Sequence, residues 1–551
     1  MKLVDSRRLT GPNLVWTHPG ALLDVAFEDA GVVDLWKEEI TALRSALSLP
    51  DMGLEVLPRA EGAWLLVGGP VDQLYGLIEA SELAWTRAVK RFSGDTVGDP
   101  DLSAVLTELD DERLPALTLL EAEAARQQVT FFWDDDDVSL GMGTGSGTWP
   151  REQTPDAASL NWSTYHDVPV AVVTGTNGKS TNVRLLCHIA ACWGKTYGST
   201  STDWIRVNED ILDTGDYSGP GGARTLLRDP RVEIAFLETA RGGLLRRGTG
   251  VQRADVAAVL NVAEDHMGQY GINAVEDLIA AKLIVRRLVN HGGLLVLNAD
   301  DAGLVEASKS FPDQRVCWFS IGPPIVDFGE SSCFVKDGMI IHWESGSITE
   351  IAKVDDIPIT LGGIATYNVS NALSATAIAR GLGVPVDAIR EGLTTFESDF
   401  KSNPGRSNYF DVGGIRVLLD YAHNVHGLNA ILDTTAKLGA ARRIMTLSMA
   451  GDRTEKEIRD MAAAPAKAGI KDILVSDCVG YERELGTGGV PLILANELRK
   501  HGIEADMFEG ELDAVRAAFE RAKDGDLLIL LVKAERAESL EVIQAQIEQR
   551  V

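Results

Sequence analysis

With 551 residues the chain is too long for a single hydrophobic core, and at roughly 150 residues per domain it predicts three or four. Hydrophobic residues at 45% and charged residues at 24% exclude wholesale disorder, and a net charge of -29 excludes a general binder of nucleic acid or anionic membrane, whose phosphates it would repel. Single nucleotides stay allowed, because a local cradle of backbone N–H groups holds phosphate even inside an acidic protein.

Residues 1–165 form a first region with helical patterns over Val33–Ser48 and Ser81–Arg91. An acidic run, Asp134–Asp137, and a Gly-rich run, Gly141–Gly147, follow; the latter has G-x-G spacing but no strand before it and reads as a flexible loop. A loop-like passage, Thr148 to His166, leads into the second region, 166–401. There Val168–Val173, Val232–Leu237, Val256–Val262 and Gly293–Leu297 read as buried parallel strands. Thr181–Cys192, Val275–Asn290 and Val369–Gly381 read as the helices between them, which predicts a doubly wound α/β domain. A break at Ser402-Asn403-Pro404-Gly405 opens the third region, 402–551. Its strands are Ile415–Leu419, Arg443–Ser448, Asp472–Val475 and Leu527–Val532; its helices include Thr454–Ala468, Pro491–His501 and Leu512–Ala522. The expected class is α/β: a smaller α+β N-terminal domain, a central P-loop doubly wound ATPase domain, and a C-terminal Rossmann-like α/β domain.

Cys187, Cys192, Cys317, Cys333 and Cys478 are scattered, with no disulfide framework or zinc spacing, and read as reduced thiols. The start of the chain has no signal-peptide core, and the longest late apolar run, Leu527 to Val532, is too short to span a bilayer. The expected compartment is the cytoplasm.

The sharpest local signal is Thr174-Gly175-Thr176-Asn177-Gly178-Lys179-Ser180-Thr181, between a buried strand and a helix. Such a loop aims backbone N–H groups and a helix N-terminus at phosphate oxygens, with Lys179 reaching the β- and γ-phosphates and the Ser180 hydroxyl on Mg²⁺. Val173 stands where the strict Walker pattern needs its first glycine, so a Gly-rich turn capping a helix is the competing reading. Glu238 ends a strand, where a carboxylate can complete the metal shell with Ser180 or merely cap a helix. His266 follows a strand end and can hold a second metal or be structural.

These segments, taken in order, resemble the Mur ligase family. The matching phrases are Gly175–Ser180, Leu237–Gly243, Asn261–Met267, Ala280-Ala281-Lys282, Leu297–Asp301, Tyr367-Asn368 with Asn371, Pro404-Gly405-Arg406 and Asp420–Asn424. Within that family, Gly215–Pro220, Leu227–Pro230 and Glu238–Gly243 are similar to the Mur-ligase-like half of the cyanophycin synthetases. Leu9–Asn13 and Glu61–Trp64 resemble the N-terminal domain of that group, without an intact ATP-grasp domain. The resemblance implies an ATP-dependent acid–amino-acid ligase, ADP-forming, that makes an amide through an acyl phosphate, with two Mg²⁺ ions and a carbamylated Lys282. Lys179, Glu238, His266 and Lys282 are the implied catalytic residues, and Ser180, Glu238, His266 and Lys282 the implied metal ligands.

ATP would contact Gly175 to Thr181 (Gly175, Thr176, Asn177, Gly178, Lys179, Ser180, Thr181), together with Asn298, Asn368, Asn371, Arg406 and Asp420. A turn role for Asn298 and capping for Asn368 and Asn371 stand as alternatives. Tyr367 replaces the family's usual His, and Val425 its usual Pro. Thr202, Asp203, Ser218, Arg241, His423, Asp452 and Arg453 are the expected substrate contacts. The absence of histidine in Leu65–Leu77 predicts no metallohydrolase centre. Expected partners are a small-molecule or peptide carboxylate and an amino acid or other amine, with at most further copies of the chain in a homo-oligomer. A P-loop ATPase and a degenerate ligase serving as a binding module are the alternatives.

Overall fold

In the computed structural model, residues 1–289, 292–322 and 331–550 are described. Asn290, the last residue of the predicted helix Val275–Asn290, lies outside them.

The first 150 residues build a four-stranded antiparallel sheet in the order Lys2–Leu9, Gly20–Ala26, Gly62–Gly68, Leu54–Arg59. Two-residue alternation gives this sheet two apolar faces. Ala21, Leu23, Leu65 and Val67 pack under the helices Gly31–Ala46 and Leu74–Phe92. Leu22, Trp64 and Leu66 point the other way, onto Leu245, Ile272, Leu278 and Ala281 of the central region.

The Gly141–Gly147 run departs from the expected flexible loop. It is the turn of a small three-stranded sheet, Phe131–Trp133, Asp137–Leu140 and Gly147–Pro150. Its glycines permit close backbone approach: a Cβ on Gly143 would lie 2.2 Å from the Val232 carbonyl oxygen, and one on Gly145 2.2 Å from that of His166.

Among the described residues the central sheet has eleven strands. Seven are parallel, in the order Tyr197–Thr200, Ile234–Glu238, Val170–Thr174, Val256–Val259, Leu294–Asn298, Val316–Ser320, Ser331–Lys336. An antiparallel hairpin, Trp204–Val207 and Asp210–Thr214, extends one edge, and Met339–Glu344 with Ser347–Lys353 extends the other. Helices cover both faces, as parallel sheets require. Ala171, Val173, Phe236 and Ala258 meet helices Lys179–Cys192 and Thr366–Gly381 on one side, while Val170, Val172, Leu237 and Val259 meet Leu226, Leu244 and Leu283 on the other. The segment predicted as one long helix is α-helical only over Val275–Lys282 and continues as 3₁₀ turns over Leu283–Val289.

The last sheet has six strands in the order Asn408–Val412, Ile415–Asp420, Leu527–Leu531, Arg443–Met449, Asp472–Asp477, Asp506–Phe508. All but the first are parallel, again with helices on both faces. Among the described residues no helix is long and apolar enough to cross a membrane.

Candidate functional site

The phosphate loop leaves the strand Val170–Thr174 and enters the helix Lys179–Cys192 through Gly178. Gly178 has φ +86, and a Cβ there would sit 2.5 Å from Asn371 Oδ1, so only glycine fits. No side chain caps this helix, which leaves its first-turn N–H groups free to face an anion. The loop is braced from the next strand. Thr176 N donates to Asn261 O (2.9 Å), Asn177 N to Asn261 Oδ1 (2.9 Å), and Asn261 Nδ2 back to Asn177 O (3.0 Å). Lys179 Nζ donates to the Thr176 carbonyl, 3.1 Å away.

Two cavities meet at this loop. One, of about 460 Å³, is lined by Gly175 through Thr181 and by Glu238, His266 and Lys282, so all four predicted catalytic residues share it. Thr202, Ser218, Arg241, His423, Asp452 and Arg453 line it as well. The other, of about 510 Å³, is lined by Asn298, Asn368, Asn371 and Asp420. Asn177, Gly178, Thr181, Arg406 and His423 belong to both walls. A triphosphate laid across the loop would thus have a separate chamber at each end.

Glu238 ends the strand beside the phosphate-loop strand, in register with Val173. It is 2% exposed, and among the described residues neither carboxylate oxygen has a hydrogen-bond donor. Buried carboxylates are normally paired, so this one fits a cation held together with Ser180. Lys282 is 4% exposed on the helix Val275–Lys282, and burial, with Lys179 nearby, pushes its amine down to about 7. A buried amine that sheds its proton near neutrality can be carbamylated, which would make it a second anionic ligand.

His266 is placed differently from a free metal ligand. Arg453 Nη1 lies 2.6 Å from its Nδ1 and Nη2 3.0 Å from its Nε2, so a cation at this ring must first displace a guanidinium. Burial lowers the ring's pKa to about 4, with Arg453 and Arg241 acting in the same direction against Asp265. Burial raises the Asp265 carboxyl, but His423, His266 and Arg453 outweigh it and hold it well below the usual range. His423 Nε2 is 3.6 Å from Asp265 Oδ2, which gives this histidine a charged partner at the cavity wall.

Asp203, among the expected substrate contacts, is not part of the lining of either cavity. It is partly buried, paired with Arg184 and with Arg536 Nη2 (2.8 Å). Three arginines, Arg184, Arg536 and Arg406, overcome burial and keep its carboxyl below the ordinary value. Asp203 therefore ties the central sheet to the last region.

The other predicted side chains have identifiable local partners. Asn298 donates to Leu260 O (3.0 Å) and accepts from Asp300 N (2.9 Å); Asn368 donates to Ile359 O (2.8 Å) and accepts from Asn371 Nδ2 (3.0 Å). Both asparagines thus brace the wall they line. Asp420 accepts from Ser407 N (2.8 Å) and Ala422 N (2.7 Å), and Arg406 lies over the Tyr421 ring at 4.2 Å. Ser218 Oγ donates to Asp216 (2.6 Å), and Arg241 Nη1 to His266 O (2.9 Å).

Sequence reasoning did not single out Lys533, Arg483 or His426, which also line the cavities. Lys533 had a usable signal: it directly follows a buried strand, and in parallel sheets ligands gather at the carboxyl ends. His426 and Arg483 carry none, because tertiary packing alone brings them there.

The family model of the Mur ligase middle domain matches residues 173–379, and that of the Mur ligase glutamate ligase domain matches residues 405–534. The cyanophycin synthetase of Synechocystis sp. is 34% identical over 390 residues, covering 69% of this chain and 44% of that protein. That of Geminocystis herdmanii is 32% identical over 465 residues, covering 82% and 50%. The chain spans about half the length of these relatives. Among solved structures, E. coli FolC in complex with ADP, without folate substrate, superposes with a TM-score of 0.52 at 20% identity, covering 69% of this chain and 90% of that one. At that identity the likeness is one of fold.

Proposed function

This chain belongs to the Mur ligase family, and from that premise we propose that it is an ATP-dependent carboxylate–amine ligase working through an acyl phosphate. The observation that carries the reading is the donorless, buried Glu238 carboxylate beside an uncapped helix N-terminus. Anion-seeking N–H groups and a cation-seeking carboxylate in one cavity suit a magnesium-bound triphosphate. We take residues 1–165, 166–401 and 402–551 as its three domains, with ATP between the last two.

In this reading the phosphate loop and Lys179 hold the β- and γ-phosphates, while Asn298, Asn368, Asn371 and Asp420 shape the chamber for the nucleoside. Arg406 spans both chambers. Ser180 and Glu238 would hold one Mg²⁺. A carbamylated Lys282, with His266 once Arg453 turns aside, would hold a second. Bound there, magnesium supplies charge neutralisation to the transferring phosphoryl group. The acid lies toward Thr202, Ser218 and Arg241; its carboxylate oxygen attacks the γ-phosphate in line, and ADP leaves. The amine enters from the side of Asp452 and Arg453, attacks the acyl carbon as a free base, and expels phosphate. Closing the last region over the loop excludes water, which would otherwise hydrolyse the mixed anhydride. The reaction needs only small partners, an acid or short peptide and an amino acid or amine, and fits the cytoplasm, where ATP is plentiful.

The test is acceptor-dependent ADP release by Lys179→Ala with circular dichroism as the folding control. A fall of about a hundredfold or more is expected from losing a charge that acts on the transition state. Unchanged turnover, or phosphate release that needs no amine and leaves no amide by mass spectrometry, refutes the assignment.

A further inference from the structure

Asn177 at the tip of the phosphate loop meets the N-terminus of the helix Val425–Lys437, nearly 250 residues away in sequence. The orientation of every group in this contact follows from one backbone N–H. Gly427 N donates to Asn424 Oδ1 at 2.8 Å, which fixes the Asn424 amide. Asn424 Nδ2 then donates to Asn177 Oδ1 (3.1 Å), and Asn424 Oδ1 accepts from Asn177 Nδ2 (3.1 Å). The remaining hydrogen of Asn177 Nδ2 points to His426 Nδ1 at 2.9 Å, so that nitrogen is an acceptor and the ring is neutral. Glycine at 427 is part of the fit, since a Cβ there would lie 3.2 Å from Asn177 Oδ1. Asn177 itself cannot yield easily, because Asn261 holds its backbone on both sides.

We propose that His426 is a positioning residue which, with Asn177, Asn424 and Gly427, latches the last region onto the phosphate loop and releases it when its ring is protonated. Its effect on catalysis rests on the ATP reading; its effect on shape does not. The ring stands at the surface, but the protein packed around it strips part of its hydration and depresses its basicity, and Asp301 is the charge that opposes this. The Asp301 carboxylate is already engaged by Val262 N (2.7 Å) and Leu304 N (3.1 Å). Asp300 is bound to Ser320 and Ile321 N; Tyr367, Arg406, Asp420 and His423 complete the charged or titratable wall of the same cavity. On its own helix the first charge is Asp433, two turns on. The sign follows: the latched ring has the lower pKa, so the latch is fully present above the ordinary imidazole value of about 6.5 and weakens as pH falls below it.

The experiment compares the native chain with His426→Ala and His426→Asn. Asparagine places an oxygen where Nδ1 lies and does not titrate. One hydrogen bond between neutral groups shifts an equilibrium about two- to tenfold. His426→Ala is therefore expected to raise the ATP KM or lower kcat by that factor, and to enlarge the radius of gyration in solution scattering without nucleotide. His426→Asn should restore both. Native protein should expand as pH falls below about 6.5, and His426→Asn should not. The proposal is overturned if His426→Ala matches the native chain in scattering and kinetics, if His426→Asn fails to restore, or if both respond alike to pH. Should the native chain form no ADP, the ATP reading fails, and the scattering series alone decides the latch.

Discussion

Replacing Glu238 by glutamine should act in opposite directions on the free and the nucleotide-bound protein. Among the described residues the carboxylate is buried without a donor, and it interacts with the charge of Arg184. A buried polar group left unpaired costs about 1–3 kcal/mol, and more when charged. Glutamine keeps the shape and removes the charge, so a gain of about 1 kcal/mol is expected without ligand, allowing for the guanidinium nearby. In a domain of roughly 150–250 residues that raises Tm by about 2–4 °C. Magnesium with a non-hydrolysable triphosphate at about a hundred times Kd stabilises the native protein by about 2.7 kcal/mol, and the variant should lose most of this. Thermal denaturation with and without the magnesium complex reads both effects in one series. A variant that melts lower than native without nucleotide, or keeps the full magnesium-dependent shift, would show that Glu238 has a structural partner and no cation to hold.

Two further substitutions probe the buried charges around it. The Lys282 amine lies at about 7 in the fold against 10.5 ordinarily, so the unfolded chain holds the proton more tightly and native stability rises with pH between those values. Lys282→Met should remove that slope, and urea midpoints at pH 7 and pH 9 that differ equally for both proteins would contradict it. Asp203→Ala strips the carboxylate from Arg184 and Arg536, and breaking one side of a buried pair costs about 3–5 kcal/mol. The urea midpoint should fall accordingly; an unchanged midpoint would mean that this pin carries no load.

Runs buried on both faces were the most legible part of the fold. Val168–Val173 and Val232–Leu237 were expected, and strands stand at Val170–Thr174 and Ile234–Glu238. Their Val, Ala and Leu content leaves few other states. The hairpin Trp204–Thr214 was not legible: its outer strand, Asp-Ile-Leu-Asp-Thr, is exposed throughout and offers no alternation. The meander Ser331–Lys353 escaped for another reason: Cys333, Phe334, Ile340 and Ile341 are buried, but its apolar runs are too short and irregular to announce a strand. The predicted helix past Lys282 tightens into 3₁₀ turns that pack into the core through Leu283, Ile284 and Leu288, a change of helix type that apolar spacing does not distinguish. In the site, residues at strand ends and in the Gly-rich loop were readable from position. Asp203 was not, since its partner Arg536 lies 333 residues on and no local pattern announces an ion pair across the chain.

The central strands of the first sheet are covered on both faces. Its second face, Leu22, Trp64 and Leu66, rests on Leu278 and Ala281, within one turn of the buried amine at 282. Trimming the chain to its ligase-like core would therefore wet the underside of that short helix and loosen the lysine it carries. The leading segment thus lies as a foundation under the cavity that Leu278 and Lys282 line, and its removal is expected to loosen that wall.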